Sequence, residues 1–232
     1  MLGTGIYSPA DAAALLKAPP QEVRRWAFGY SRVRAGTSVT YDPLIRTELP
    51  ELDGQRALTF VELVELMFIK GFRKAGAPWK EIHEAARVAA RILNTDHPFA
   101  MRTFFADPGG IYAMLDEAEG GESLVRLVGH GQHAFTSIVK PYLGQLEFDP
   151  LETPTRWWPL GKEARVVLDP LVSFGAPVLA DVGVPTATLA DVYQAEREYA
   201  GNDALRRVAW LYTIPERQVQ LAVEFEQWRR AA

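Results

Sequence analysis

The sequence contains no cysteine and only 4 histidines in 232 residues. Without thiols there is no disulfide framework, no thiolate zinc site and no cysteine nucleophile. Long apolar runs are missing as well. The greasiest stretch, FVELVELMFIKGF, is interrupted by Glu62, Glu65 and Lys70. It falls short of the roughly 20 apolar residues that span a bilayer. The opening MLGTGIYSPADAA has neither a basic start nor an apolar centre, so no signal peptide is expected. These absences suit a cytoplasmic protein. The recurring catalytic signatures are absent too: there is no G-x-S-x-G elbow, Walker loop, dinucleotide fingerprint or H-E-x-x-H pair. No enzyme, cofactor or metal is expected. His130 and His133 stand three apart in GHGQH without a third ligand nearby, and His83 and His97 look incidental. Asp169, Asp181 and Asp191 are regularly spaced carboxylates of the kind a metal nuclease uses, but turn chemistry explains the first two more cheaply.

What is present is the balance of a globular chain able to bury a core, with 48% hydrophobic and 23% charged residues. The charge is unevenly placed. Residues 17–46 hold six basic and two acidic side chains, a net of +4, so the chain total of −4 leaves −8 for the remainder. A small basic patch on an acidic body suits a DNA-reading module joined to a partner-binding one.

The patch coincides with a pattern. Ser8-Pro9 reads as a helix cap and first residue, with Ala12, Ala13, Leu15 and Leu16 as a short apolar stripe. KAPP stops that helix, Pro20 opens a second, and Gly29 ends it. Val23, Trp26 and Ala27 should face inward, leaving Gln21, Arg24 and Arg25 outward. YSRVR-AGT-SVTY then alternates around a glycine turn, as a small hairpin does. A helix-turn-helix followed by a wing is expected.

Further on, TFVELVELMFIKGFRKAGA reads as a central helix capped by Thr59 with Glu62, followed by a helix from Pro78 to Asn94. TDHPFAMRTFFADPGGIYAML suggests a hairpin, and a helix is expected from about Gln132 to Leu143. Residues 144–163 read as a proline-rich linker. Short strands follow to about residue 186, then three helical patterns end the chain. The expected class is mainly α with small β elements: an N-terminal winged helix-turn-helix over 1–97, a central α+β segment and linker over 98–160, and a C-terminal helical domain with short strands over 161–232.

DNA reading requires side chains that reach base edges and cations for phosphates. Gln21, Arg24 and Arg25 have the reach. Lys17, Arg32 and Arg34 suit phosphates, and the helix start at Ser8 can hold one as well. The plainer alternative is a solvated helical hairpin. Trp157-Trp158 could anchor an interface or fold back onto the body.

Two family resemblances sharpen this. The helix pair, the wing and the following FVELVELMFIKGFRKAGAPWKEIHEA resemble the winged helix-turn-helix of MerR-like regulators over roughly residues 5–93. VVLDPLVSFGAPVLADVGVPTATLADVYQAE resembles the domain-of-unknown-function 433 family, with Asp169, Pro170, Gly175, Pro177, Val184, Pro185 and Thr186 matching its motif. ADVG stands where that family usually has G-T-R, so the loop arginine is missing. The combination resembles a VapB-type antitoxin. That resemblance implies partners: operator DNA and a PIN-domain ribonuclease toxin from an adjacent gene, held by a homodimer or a hetero-oligomer. The implied toxin contacts are Arg156, Trp157, Trp158, Trp228, Arg229 and Arg230. The rivals are a MerR-like transcription regulator whose C-terminal domain senses a ligand, and an adaptor that contacts only proteins.

Overall fold

A computed structural model describes residues 3–34, 36–51, 53–106 and 140–231. The side chain of Arg34, the 107–110 turn, His130 and His133 lie outside the described residues.

Helix α1 (Pro9–Leu16) starts where expected. Ser8 Oγ accepts from the Asp11 N–H at 3.1 Å, and Pro9 fills the first position without losing a bond. Lys17, in the left-handed region, ends it. Helix α2 (Pro20–Phe28) buries Val23, Trp26 and Ala27. Gly29 closes α2 at φ 68°, and a Cβ there would lie 2.4 Å from the Tyr41 carbonyl oxygen. Only glycine lets the wing turn back so tightly. The wing is β1 (Tyr30–Arg34) paired antiparallel with β2 (Thr37–Tyr41), in register from Tyr30 opposite Tyr41 to Arg34 opposite Thr37. After it, the Leu44 N–H returns to the Trp26 carbonyl at 2.7 Å.

Helix α3 (Phe60–Lys74) is apolar nearly all round and sits at the centre. Its capping box is complete: Thr59 Oγ1 accepts from the Glu62 N–H, and Glu62 Oε2 accepts from the Thr59 N–H at 2.9 Å. Helix α4 (Trp79–Leu93) follows Pro78 and ends at a left-handed Asn94, as its sequence suggests.

Two expectations fail beyond this point. Residues 98–106, read as the start of a hairpin, form a 3-10 turn (Pro98–Ala100) and a four-residue helix α5 (Thr103–Ala106). Phe99 and Phe104 pack there against Phe72 as a cluster of edge-on rings, and this burial outweighs any strand preference. The supposed linker is also sheet. Strands β3 (Leu146–Phe148) and β4 (Pro154–Trp157) join β5 (Val166–Leu168) and β6 (Pro177–Leu179) in one antiparallel sheet of that order. The β3–β4 turn is set by Asp149, whose Oδ1 accepts from the Leu151 and Thr153 N–H groups at 2.9 Å. The prolines that suggested a linker lie at strand ends and turns. The sheet crosses the 160/161 boundary expected from sequence.

Three helices finish the chain: α6 (Thr186–Ala200), α7 (Ala204–Tyr212) and α8 (Glu216–Arg230). They bury Leu189, Val208, Val219, Ala222 and Phe225 against the sheet and each other, in a core continuous with the N-terminal one. Mainly helical architecture with small antiparallel sheets is what the sequence indicates. Among the described residues no helix is long and apolar enough to cross a membrane.

Candidate nucleic-acid interface

The outward face of α2 is built by spacing. Gln21, Arg24 and Arg25 sit at i, i+3 and i+4, so all three side chains leave one side of the helix. All are exposed, as is Arg32 on the wing. Among the described residues none of the four is in an ion pair. Arg25 is oriented rather than loose. Its guanidinium lies 5.0 Å over the Tyr30 ring, which is stacked on Tyr41 at 4.6 Å and 11°. The Tyr pair joins the base of the wing to the end of α2. A rigid platform thus presents uncompensated donors to solvent.

Two other expected DNA contacts, Lys17 and Ser8, are engaged elsewhere. Lys17 turns away from α2 and donates to the carbonyls of Trp228 and Arg229, with its ammonium 4.2 Å above the Trp228 ring. A cation on the last carbonyls of α8 neutralises that helix end, and burial followed by the nearby Arg229 charge lowers the Lys17 pKa. Ser8 spends its hydroxyl on Asp11, donating to the carboxylate at 2.6 Å, so the start of α1 already holds an anion. Arg46, counted in the basic patch, is paired with Asp96 at 2.9 Å.

Of the six expected toxin contacts only Trp157 is buried; the other five are half-buried or exposed, each in contact with a neighbouring side chain. Trp157 is 3% exposed and lies in the sheet between Leu146 and Leu168. Trp158 is half-buried and donates to Glu147 Oε1 at 3.1 Å. Arg156 pairs with Asp169 at 2.7 Å. Trp228 packs on Phe225, Arg229 bridges Glu226 and Asp11, and Arg230 reaches Asp191 at 3.3 Å. The two most exposed large aromatics are ones the sequence did not single out, Tyr199 at 85% and Trp210 at 82%, with Leu211 at 57% beside them. They stand together along one open cleft at the end of α6 and on α7.

The spaced carboxylates do not converge. Asp169 Oδ1 accepts from the Leu171 N–H, and Asp181 is paired with Arg165 and Gln218. One ligand-like group does exist among the described residues, Glu48, Glu62 and His97. Its members already satisfy one another. His97 Nδ1 meets Glu65 Oε2 at 2.9 Å and its Nε2 meets Glu48 Oε1 at 3.1 Å, while Glu62 holds the Glu48 and Thr59 N–H groups. Burial alone would lower the His97 pKa, but the hydrogen bonds and charge of Glu65, then of Glu48, raise it to about 9. His97 is therefore a buried cation between carboxylates, not an incidental residue.

Comparison with known proteins bears on both halves. Residues 5–86 match a family model described as "Putative DNA-binding HTH domain". Over 192 residues the chain is 31% identical to a Mycobacterium tuberculosis protein named "Putative antitoxin VapB45", covering 78% of this chain and 80% of that one. The crystal structure of Rv2018 from Mycobacterium tuberculosis is similar with a TM-score of 0.66 and 26% identity, over 94% of this chain and 96% of that one.

Proposed function

The chain belongs to the family of the antitoxin VapB45, and from that premise we propose that it is an antitoxin which also binds DNA. In the fuller reading, α2 and the wing grip the operator of the chain's own gene pair and repress it. The C-terminal helices hold a PIN-domain ribonuclease toxin of the VapC type. Two copies would place two recognition helices on half-sites about 34 Å apart.

One observation carries the DNA part: Gln21, Arg24 and Arg25 leave α2 side by side, exposed and without a carboxylate partner. The toxin part is supported by Tyr199, Trp210 and Leu211, an exposed apolar surface of the kind that anchors protein contacts.

The test is fluorescence anisotropy with labelled duplex from upstream of the gene. Arg24→Ala and Arg25→Ala should each weaken binding by about 1–3 kcal/mol if they contact bases. Affinity should also fall steeply with salt. Binding that both substitutions leave unchanged removes α2 as the reading helix.

A further inference from the structure

A cavity of about 920 Å³ opens between α2, the base of the wing and the α3–α4 corner. Its volume is that of a small-molecule site. The walls carry two kinds of group. Trp26, Trp79, Tyr30, Tyr41 and Leu44 supply an apolar and aromatic surface, with Trp26 and Trp79 5.9 Å apart. Arg25, Lys70, Arg73, Lys74 and Lys80 supply five cations, against the two carboxylates Glu22 and Asp42. Among the described residues none of the five cations is in an ion pair.

The cations are placed rather than scattered. Arg73 lies 4.3 Å over the Trp79 ring and donates to the Ala77 carbonyl at 2.6 Å. Arg25 lies over Tyr30. A guanidinium held over a ring still has N–H donors to offer an oxyanion. Lys70 is half-buried on the Leu16 carbonyl, and its pKa is lowered by burial and then by the charges of Lys74 and Lys17. A bound anion would relieve that repulsion. His83 also lines the cavity; its pKa is lowered by burial, against the opposing pull of Asp42, so it adds no sixth charge at neutral pH.

We infer that this cavity binds a small aromatic oxyanion, of the chemical class of a nucleoside monophosphate. An inorganic anion would leave the Trp79, Tyr41 and Leu44 wall uncovered. A neutral aromatic would leave the cations unpaired. A ring joined to a phosphate satisfies both. Because Arg25 belongs both to this lining and to the exposed face of α2, and Tyr30 to this lining and to the wing, an occupied cavity changes the surface offered to DNA.

Calorimetric titration of the full chain with AMP tests this without recourse to DNA, so it can fail independently of the DNA-binding reading. AMP should bind at least tenfold more tightly than adenosine or inorganic phosphate at equal ionic strength. Lys74 and Lys80 are exposed, so a K74A/K80A variant should melt as the parent does yet bind AMP about tenfold more weakly. Phosphate matching AMP, AMP binding unaltered in that variant, or no AMP binding by a chain that still takes up duplex DNA would each overturn the assignment. The last result would give the cavity to the DNA backbone.

Discussion

His97 shows what one side chain can hold. At 6% exposure it joins the loop at Glu48 to the middle of α3 at Glu65, across sequence gaps of 49 and 32 residues. A buried charge needs such partners, because desolvation alone would neutralise it. The sign of its pH effect follows from its pKa. An unfolded histidine titrates near 6.5 and the folded one at about 9. The bridge therefore contributes fully below about pH 6.5 and is lost as pH rises towards 9. Urea midpoints should fall across that window in the parent, and the fall should be much smaller in His97→Ala. The substitution itself should cost about 3–5 kcal/mol, since it strands the buried Glu65 carboxylate. A midpoint flat from pH 6 to 9 would contradict this. Nothing near His97 in the sequence marks it, because its partners are distant. Arg24 and Arg25 are the opposite case: helical spacing alone put them on the outer face.

At the scale of elements, local signals were strongest where a cap and a period agreed. Ser8, Thr59, Pro78 and Asn94 each mark a helix end that the structure retains. Thr59→Ala removes one half of the α3 box and should cost about 0.5–2 kcal/mol in chemical denaturation. The loss should fall near the upper end. Glu62 holds the Thr59 N–H with one oxygen and the Glu48 N–H with the other, at 2.6 Å, so loosening one bond loosens both. Hairpin β1–β2 was legible from alternation around Gly36, although every residue of β2 is exposed. The β3–β4 pair was not. Its strands are short, its prolines mimic a linker, and its order arises only from pairing with β5.

For the whole molecule, the two ends of the chain meet. Tyr7 donates to the Gly175 carbonyl at 2.8 Å, and a Cβ on Gly175 would lie 2.3 Å from the Tyr7 oxygen. Lys17 caps α8, and Thr186, Glu226, Arg229 and Asp11 form a polar chain from α6 through α8 to α1. Two of the residues first expected to grip a partner, Trp228 and Arg229, thus also serve this internal seam. The surface proposed for partner contact, Tyr199, Trp210 and Leu211, lies outside that seam. Trp210→Ala should weaken co-purification with the adjacent gene's product while leaving melting temperature and DNA affinity unchanged, because Trp210 is 82% exposed and far in sequence from α2. Undiminished co-purification would exclude it as an anchor.

Sequence alone determined helices α1 to α4, the wing and the outward direction of Gln21, Arg24 and Arg25, because caps, periodicity and turn chemistry act over a few residues. Tertiary structure decided which cations stay free. Lys17, Arg46, Arg156 and Arg229 found carbonyl or carboxylate partners brought near by folding, whereas among the described residues Arg24, Arg25 and Arg32 found no carboxylate. Charge along a chain is local, but its compensation depends on what the fold places within a few ångströms.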